Sequence, residues 1–171
     1  RDIEKYLGYF EESYLVEKAV RYDVKGRKYI GTSAKYYYTD MGLRNARLGF
    51  RQLEETHIME NVLYNDLIRR GMNVDVGVVE YNTKDSNGKK IRKQLEVDFV
   101  VDGGGKRFYI QSALSTADPE KKNQEIESLK RIPDSFSKIV VVRDYLMPWQ
   151  DENGITYVGI EQFLLNEDIL K

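Results

Sequence analysis

The sequence predicts an α/β fold in which a small mixed sheet carries helices on its faces. From Leu53 onward, the hydrophobic pattern predicts a helix, three strands, a second helix and a further strand. A strand that returns to the same sheet after a helix needs a crossover connection, so this order implies a mixed sheet covered by helices. The chain has 171 residues, of which 41% are hydrophobic, and this suits one globular domain or two small ones packed together.

The first 50 residues predict a helix followed by a hairpin. Apolar residues recur at i, i+3, i+4 and i+7 over residues 2–12, which predicts an amphipathic helix. A turn around Gly26 then joins two strands, and this outline is typical of the end of a winged-helix domain. The second strand is rich in tyrosine and leads to a short helix, which Thr39 or Asp40 can cap.

A longer helix is predicted over residues 51–70, and Gly71 follows it as a terminator. Leu53, Leu63 and Leu67 lie in its apolar stripe, and Glu60 falls in the same stripe. A carboxylate in a core-facing stripe is unfavourable unless it is paired, hydrogen-bonded or bound to a cation. Glu60 is therefore the informative residue of this helix.

Residues 94–113 predict a hairpin with a polar centre. The two-residue period of a strand places Glu96 and Asp98 on one face and the apolar residues Leu95, Val97, Phe99 and Val101 on the other. Three glycines after Asp102 form the turn, and residues 108–113 form the return strand. One register brings Gln111 beside Glu96 and Asp98, so that two carboxylates and an amide converge.

The remaining elements complete the α/β order. Pro119 opens a helix in its first turn. Residues 138–142 form a continuous apolar run, as expected of a strand buried on both faces. A short strand at residues 156–160 and a closing helix at residues 161–170 follow.

The composition limits the possible functions. Lys plus Arg total 27 and Asp plus Glu total 28, so no overall field attracts the chain to nucleic acid or to a membrane. The sequence contains no cysteine, which excludes disulfides, zinc-thiolate sites and cysteine nucleophiles. It has no membrane-spanning apolar run and no signal peptide. We expect a soluble cytoplasmic protein, and we expect the chain to be a piece of a longer one because it begins within a helix.

Four side chains form the candidate site. Glu60, Asp98, Glu96 and Gln111 offer the oxygen ligands that Mg²⁺ prefers. The order and spacing of Glu60, Asp98 and Gln111 resemble the PD-(D/E)XK nuclease-like arrangement, which implies a restriction-endonuclease-like αβββαβ order. In that arrangement an acid stands at the position of Gln111 and a lysine two residues later, where this chain has Ala113. The amide lacks the negative charge, and alanine has no amine to stabilise charge on a phosphate.

The whole chain resembles the C-terminal half of predicted AAA-type P-loop ATPases of bacteria and archaea. In that group a P-loop domain precedes a winged-helix segment and a nuclease-like domain of unassigned function. The resemblance implies a winged-helix-like segment over residues 1–50 and a nuclease-like domain over residues 51–171. The motifs that carry it are Phe10-Glu-Glu-Ser-Tyr-Leu15, Lys35-Tyr-Tyr-Tyr-Thr-Asp40, Glu60-Asn61-Val-Leu-Tyr64-Asn65, Glu96-Val-Asp-Phe99 and Tyr109-Ile-Gln111.

The resemblance also implies partners and cofactors. ATP would bind a missing N-terminal domain, because this chain contains no G-x-x-x-x-G-K-[ST] motif. The chain's partners would be its own ATPase domain and a further protein or DNA, with no membrane.

Three hypotheses follow, and none assigns a catalytic residue firmly. The first is a non-catalytic accessory domain with a degenerate site. The second is a nuclease that uses Mg²⁺ at Glu60, Asp98, Glu96 and Gln111. The third makes Glu96 and Asp98 a solvated face of a half-exposed strand, and Glu60 a capped or paired structural acid.

Overall fold

A computed structural model describes the backbone of residues 2–51 and 54–171. The helices are α1 (Asp2–Glu12), α2 (Met41–Arg47), α3 (Glu55–Arg69), α4 (Pro119–Lys130) and α5 (Ile160–Leu165), and a 3-10 helix follows at Glu167–Leu170. The strands are β1 (Val16–Asp23), β2 (Lys28–Tyr38), β3 (Asn73–Lys84), β4 (Lys90–Gly103), β5 (Lys106–Ala113), β6 (Ser137–Val142), β7 (Trp149–Gln150) and β8 (Ile155–Gly159).

Within these residues the strands form one eight-stranded sheet in the order β2-β1-β3-β4-β5-β6-β8-β7. The pairs β1/β3, β5/β6 and β6/β8 are parallel, and the other pairs are antiparallel. The helix α4 crosses between the parallel strands β5 and β6, as the predicted order required. The predicted class, a mixed sheet with flanking helices, is confirmed.

The sheet has a hydrophobic core on each face. In β6, Ile139 and Val141 belong to one core while Val140 and Val142 belong to the other, which confirms that this strand is buried on both sides. The first core, called here the α3-side core, contains Leu63 and Leu67 of α3 together with Phe163 of α5. The second, the α4-side core, contains Ile126, Leu129 and Ile132 from α4 and the residues after it.

The N-terminal helix and hairpin form as predicted, and Asp40 caps α2 by accepting hydrogen bonds from the N–H groups of Gly42 and Leu43. The hairpin also extends the main sheet, because Arg21, Tyr22 and Asp23 of β1 pair in parallel with residues 76–78 of β3. The predicted division at residues 50 and 51 therefore falls between parts that share one sheet, and it stays a prediction.

Two predicted helices have different bounds in the structure. The helix predicted from residue 51 begins at Glu55, after Glu54 in an extended conformation, and Leu53 lies outside the described residues. The predicted closing helix stops at Leu165, because the side chain of Asn166 caps a separate 3-10 helix by accepting from the N–H of Asp168. Among the described helices, none is long and apolar enough to cross a membrane.

The strict alternation predicted for residues 94–101 is wrong in one place. Asp75 of β3 pairs with Val100 and Gly77 pairs with Val97, so two residues of β4, Asp98 and Phe99, lie opposite one residue of β3. This is a β-bulge, and it changes the face to which the following side chains point. Val97 consequently packs in the α4-side core, whereas Phe99 and Val101 pack in the α3-side core.

Candidate functional site

Glu60 lies on the inward face of α3, and only 6% of it is exposed. Its Oε1 accepts a hydrogen bond of 2.6 Å from the Tyr37 hydroxyl and an ion-pair contact of 2.6 Å from Lys35 Nζ. Tyr37 is fixed by stacking on Tyr64, with ring centroids 4.0 Å apart. Of the three alternatives that the sequence left open for this carboxylate, the structure shows a hydrogen bond and an ion pair.

Lys35 connects two of the candidate acids. Its Nζ lies 2.6 Å from Glu60 Oε1 and 2.9 Å from Glu96 Oε1, so one ammonium group bridges a carboxylate of α3 and a carboxylate of β4. Burial lowers the pKa of Lys35, but the hydrogen bonds and charges of Glu60 and Glu96 outweigh burial and raise that pKa above its ordinary value. Lys35 is a fixed positive charge at the centre of the site.

Glu96 is the more exposed of the two acids, and it has a second cationic partner. Arg21 NH1 of β1 donates a 2.6 Å hydrogen bond to Glu96 Oε2. Burial raises the pKa of Glu96, but the hydrogen bonds and charges of Lys35 and Arg21 prevail and lower it. Glu96 is thus an ionised carboxylate with a cation at each oxygen.

Asp98 is buried in the bulge of β4. Its Oδ2 accepts hydrogen bonds from the N–H of Ser112 at 2.8 Å and from the hydroxyl of Ser112 at 2.6 Å. Burial and the charge of Glu60 raise the pKa of Asp98 to about 7, although the Ser112 hydrogen bonds and the charge of Lys35 act in the opposite direction. Asp98 therefore gains a proton far more readily than a solvated aspartate.

Gln111 lies beside Asp98, as the register prediction required, but its contact is to the main chain. Its Oε1 accepts a hydrogen bond of 3.2 Å from the N–H of Asp98. Ala113, two residues later, is buried in the α4-side core. The amide oxygen of Gln111 thus serves the backbone of the bulge.

The structure brings Glu60, Glu96 and Asp98 into one charged network, but it also fills that network with donors. The oxygens described above face the ammonium of Lys35, the guanidinium of Arg21 and the hydroxyls of Tyr37 and Ser112. Across residues 2–51 and 54–171, no group of three or more His, Cys, Asp or Glu side chains is arranged to hold a metal ion. Mg²⁺ would have to displace Lys35 to contact both glutamates, so this arrangement of donors does not fit the ion.

Sequence reasoning missed Lys35, Arg21 and Ser112. Lys35 stands two residues before Tyr37, and the two-residue period of a strand places both side chains on one face of β2. A lysine on the same face as a buried tyrosine needs an acidic partner, and this was the available signal. Gly77 was a second signal, because an isolated glycine within a strand pattern indicates a bulge nearby.

Comparisons with known proteins give a partial match. The profile of a domain of unknown function, DUF8612, matches residues 1–54. An uncharacterized protein of Haemophilus influenzae is 31% identical over 163 residues, which are 95% of this chain and 36% of that protein. The chain thus spans about a third of the length of the curated relative that it matches. No solved structure matches.

Proposed function

We propose that this chain is a non-catalytic accessory domain that binds a partner, and that it belongs to a longer AAA-type ATPase. One observation carries the proposal: Lys35 Nζ lies within 2.6 Å of Glu60 and 2.9 Å of Glu96, where a bridging metal ion would have to sit. The acids that resemble a nuclease centre are thus used to hold a lysine of the same chain.

The charges of the network balance without a metal ion. Glu60 and Glu96 face the cations Lys35 and Arg21, and the raised pKa of Asp98 leaves that carboxyl only partly ionised near neutral pH. A divalent ion would add charge to a cluster whose two glutamates already face two cations, and it would have to break hydrogen bonds that already satisfy the carboxylates. This favours a structural use of the acids.

The element order supports the nuclease-like part of the proposal. The succession α3, β3, β4, β5, α4 and β6 has the αβββαβ order, with an antiparallel β3-β4-β5 meander and β6 parallel to β5. The winged-helix-like part is supported by α1 with the β1–β2 hairpin, and the DUF8612 match ends at residue 54, close to the proposed boundary.

The proposed partner is the ATPase domain of the same polypeptide, with a further protein or DNA as a second partner. The relative's greater length, of which the match covers 36%, leaves room for such a domain. ATP would bind there, outside residues 1–171. We place the protein in the cytoplasm.

A cleavage assay tests the proposal. Purified chain is incubated with plasmid or single-stranded DNA and with Mg²⁺ or Mn²⁺, beside the Asp98→Asn variant. We expect no cleavage by either protein at high concentration. Cleavage by the unchanged chain that the variant loses would overturn the non-catalytic assignment.

The alternative is a divalent-metal-dependent nuclease that acts on DNA through Glu60, Asp98 and Gln111. One observation favours it: Lys35 brings into the acid network the ammonium group that Ala113 lacks. In this case Lys35→Met should abolish cleavage, while Lys171→Met, at an exposed ion pair with Asp168, should leave it unchanged.

A further inference from the structure

A cleft of about 500 Å³ lies between α4 and the loop that joins β7 to β8, on the side of the sheet away from α3. Its volume is within the range of small-molecule sites. The lining includes Lys122, Asn123 and Lys130 of α4 and Trp149 of β7. None of these residues belongs to the acid network described above.

Trp149 lines this cleft with a partly exposed aromatic ring. Its ring stacks on the buried Tyr157, with centroids 4.8 Å apart and an interplanar angle of 14°, and 43% of the tryptophan is exposed. Lys122 Nζ lies 4.4 Å from the centroid of Tyr157 and 5.3 Å from that of Trp149, so the ammonium lies beside the stacked pair. The outer face of Trp149 is therefore available to a third planar ring.

Two lysines of the cleft lack a carboxylate partner. Within the described residues, neither Lys122 nor Lys130 belongs to an ion pair. Lys130 Nζ instead donates a hydrogen bond of 3.1 Å to Asn123 Oδ1. The nearby carboxylate of Asp151 is already bound by the N–H groups of Asn153 and Ile155 and by the Tyr157 hydroxyl. Glu152 is an exposed acid of the same loop, opposite the α4 side. On the α4 side of the cleft, the charged lining residues are Lys122 and Lys130.

We propose that this cleft binds a phosphorylated nucleoside, either free or within a single strand, with its base stacked on Trp149 and its phosphate bound by Lys122 and Lys130. Stacking on an aromatic side chain tolerates any base, and lysines bind phosphate as point charges. The site is separate from Glu60 and Asp98, so it goes beyond the accessory role and does not require an ATPase domain.

The test uses the fluorescence of Trp149, the only tryptophan of the chain. The full chain is titrated with adenosine monophosphate, with a single-stranded oligo-dT, with adenosine and with inorganic phosphate. We expect saturable quenching by the monophosphate, the oligonucleotide or both, and this outcome identifies the source of the nucleotide. Adenosine should bind more weakly, and phosphate alone should leave the fluorescence unchanged.

Variants show where the ligand binds. Lys130→Gln should raise the dissociation constant about tenfold, as expected for the loss of one charged phosphate contact. Lys122→Gln should have a similar or larger effect, and Lys25→Gln at the distant hairpin tip should have none. Absence of saturable quenching, or quenching that neither cleft variant weakens, overturns the proposal. Binding with no DNA cleavage leaves the accessory role intact, so the two proposals can fail independently.

Discussion

The residue with the greatest influence on the site is Lys35, because it lies where two carboxylates would otherwise repel each other. A buried acid is tolerated only when it is paired, and Glu60 is 6% exposed. The sequence indicated this need at Glu60 but not its solution, since the lysine comes from a strand 25 residues earlier. Only the packing of α3 against β2 determines which lysine reaches Glu60.

Lys35→Met should be strongly destabilising. Removing one partner of a buried ion pair leaves the other charge uncompensated, which costs about 3 kcal/mol of the free energy of unfolding. Urea denaturation measures this loss. The control Lys171→Met removes an exposed pair with Asp168 and should leave the free energy of unfolding nearly unchanged.

A double variant separates charge from packing. Adding Glu60→Gln to Lys35→Met removes the uncompensated charge and should restore part of the lost stability, because a neutral amide can still accept from Tyr37. Equal stabilities of the single and double variants would show that Lys35 acts through packing alone.

Asp98 should make stability depend on pH. Its folded pKa of about 7 lies above its ordinary value of 3.8, so between about pH 4 and pH 7 the folded chain binds more protons than the unfolded chain. The contribution of Asp98 to the free energy of unfolding is therefore fully present below pH 4 and is lost as the pH rises to 7. Asp98→Asn removes this titration while keeping an oxygen that can accept from Ser112.

The measurement is urea denaturation of both proteins at pH 4.5 and pH 7.5. We expect the unchanged chain to lose on the order of 3 kcal/mol more than Asp98→Asn over this interval. The comparison cancels contributions from Asp75 and Glu125, whose pKa values burial also raises. If the free energy of unfolding changed equally with pH in both proteins, the raised pKa could not belong to Asp98.

Among the elements, β4 shows where periodicity stops predicting side-chain direction. Its bounds and its hairpin with β5 follow from alternation and from the glycine turn. The bulge at Asp98 and Phe99 depends on the neighbouring strand, because Gly77 allows Val97 and Val100 to approach closely. The sequence thus predicted the strand and the proximity of Asp98 to Gln111. It did not predict that the Asp98 carboxylate accepts hydrogen bonds from Ser112.

Gly77→Ala should test this close approach. An added Cβ would lie 2.8 Å from Val97 Cβ and 2.9 Å from Val100 Cγ2, so the bulge must shift at a cost of about 2 kcal/mol. Gly31→Ala in β2 is the control, since its added Cβ meets nothing within 4 Å and should be neutral. Thermal unfolding of the two variants compares the costs, and equal melting temperatures would contradict the role of Gly77.

For the whole molecule, the charged network connects the two segments that the sequence separated at residue 50. Lys35, Tyr37 and Arg21 come from the N-terminal segment, and Glu60 and Glu96 come from the remainder. Sequence patterns found the elements of both segments, but patterns within one element carry no information about contacts between distant ones. The joining of β1 to β3 was therefore beyond prediction.

We expect the described residues to unfold as one cooperative unit, because a shared sheet and buried ion pairs couple the segments. Trp149 fluorescence reports the C-terminal part, and hydrogen exchange at the amides of β1 and β2 reports the N-terminal part. In the unchanged chain both should unfold at the same urea concentration. In a variant with Lys35→Met and Arg21→Met, the amides of β1 and β2 should exchange at lower urea than the Trp149 transition, because both cations that pair the N-terminal segment with Glu60 and Glu96 are gone. Coincident transitions in this variant would mean that the sheet alone couples the segments, and the acids would then have no part in holding them together.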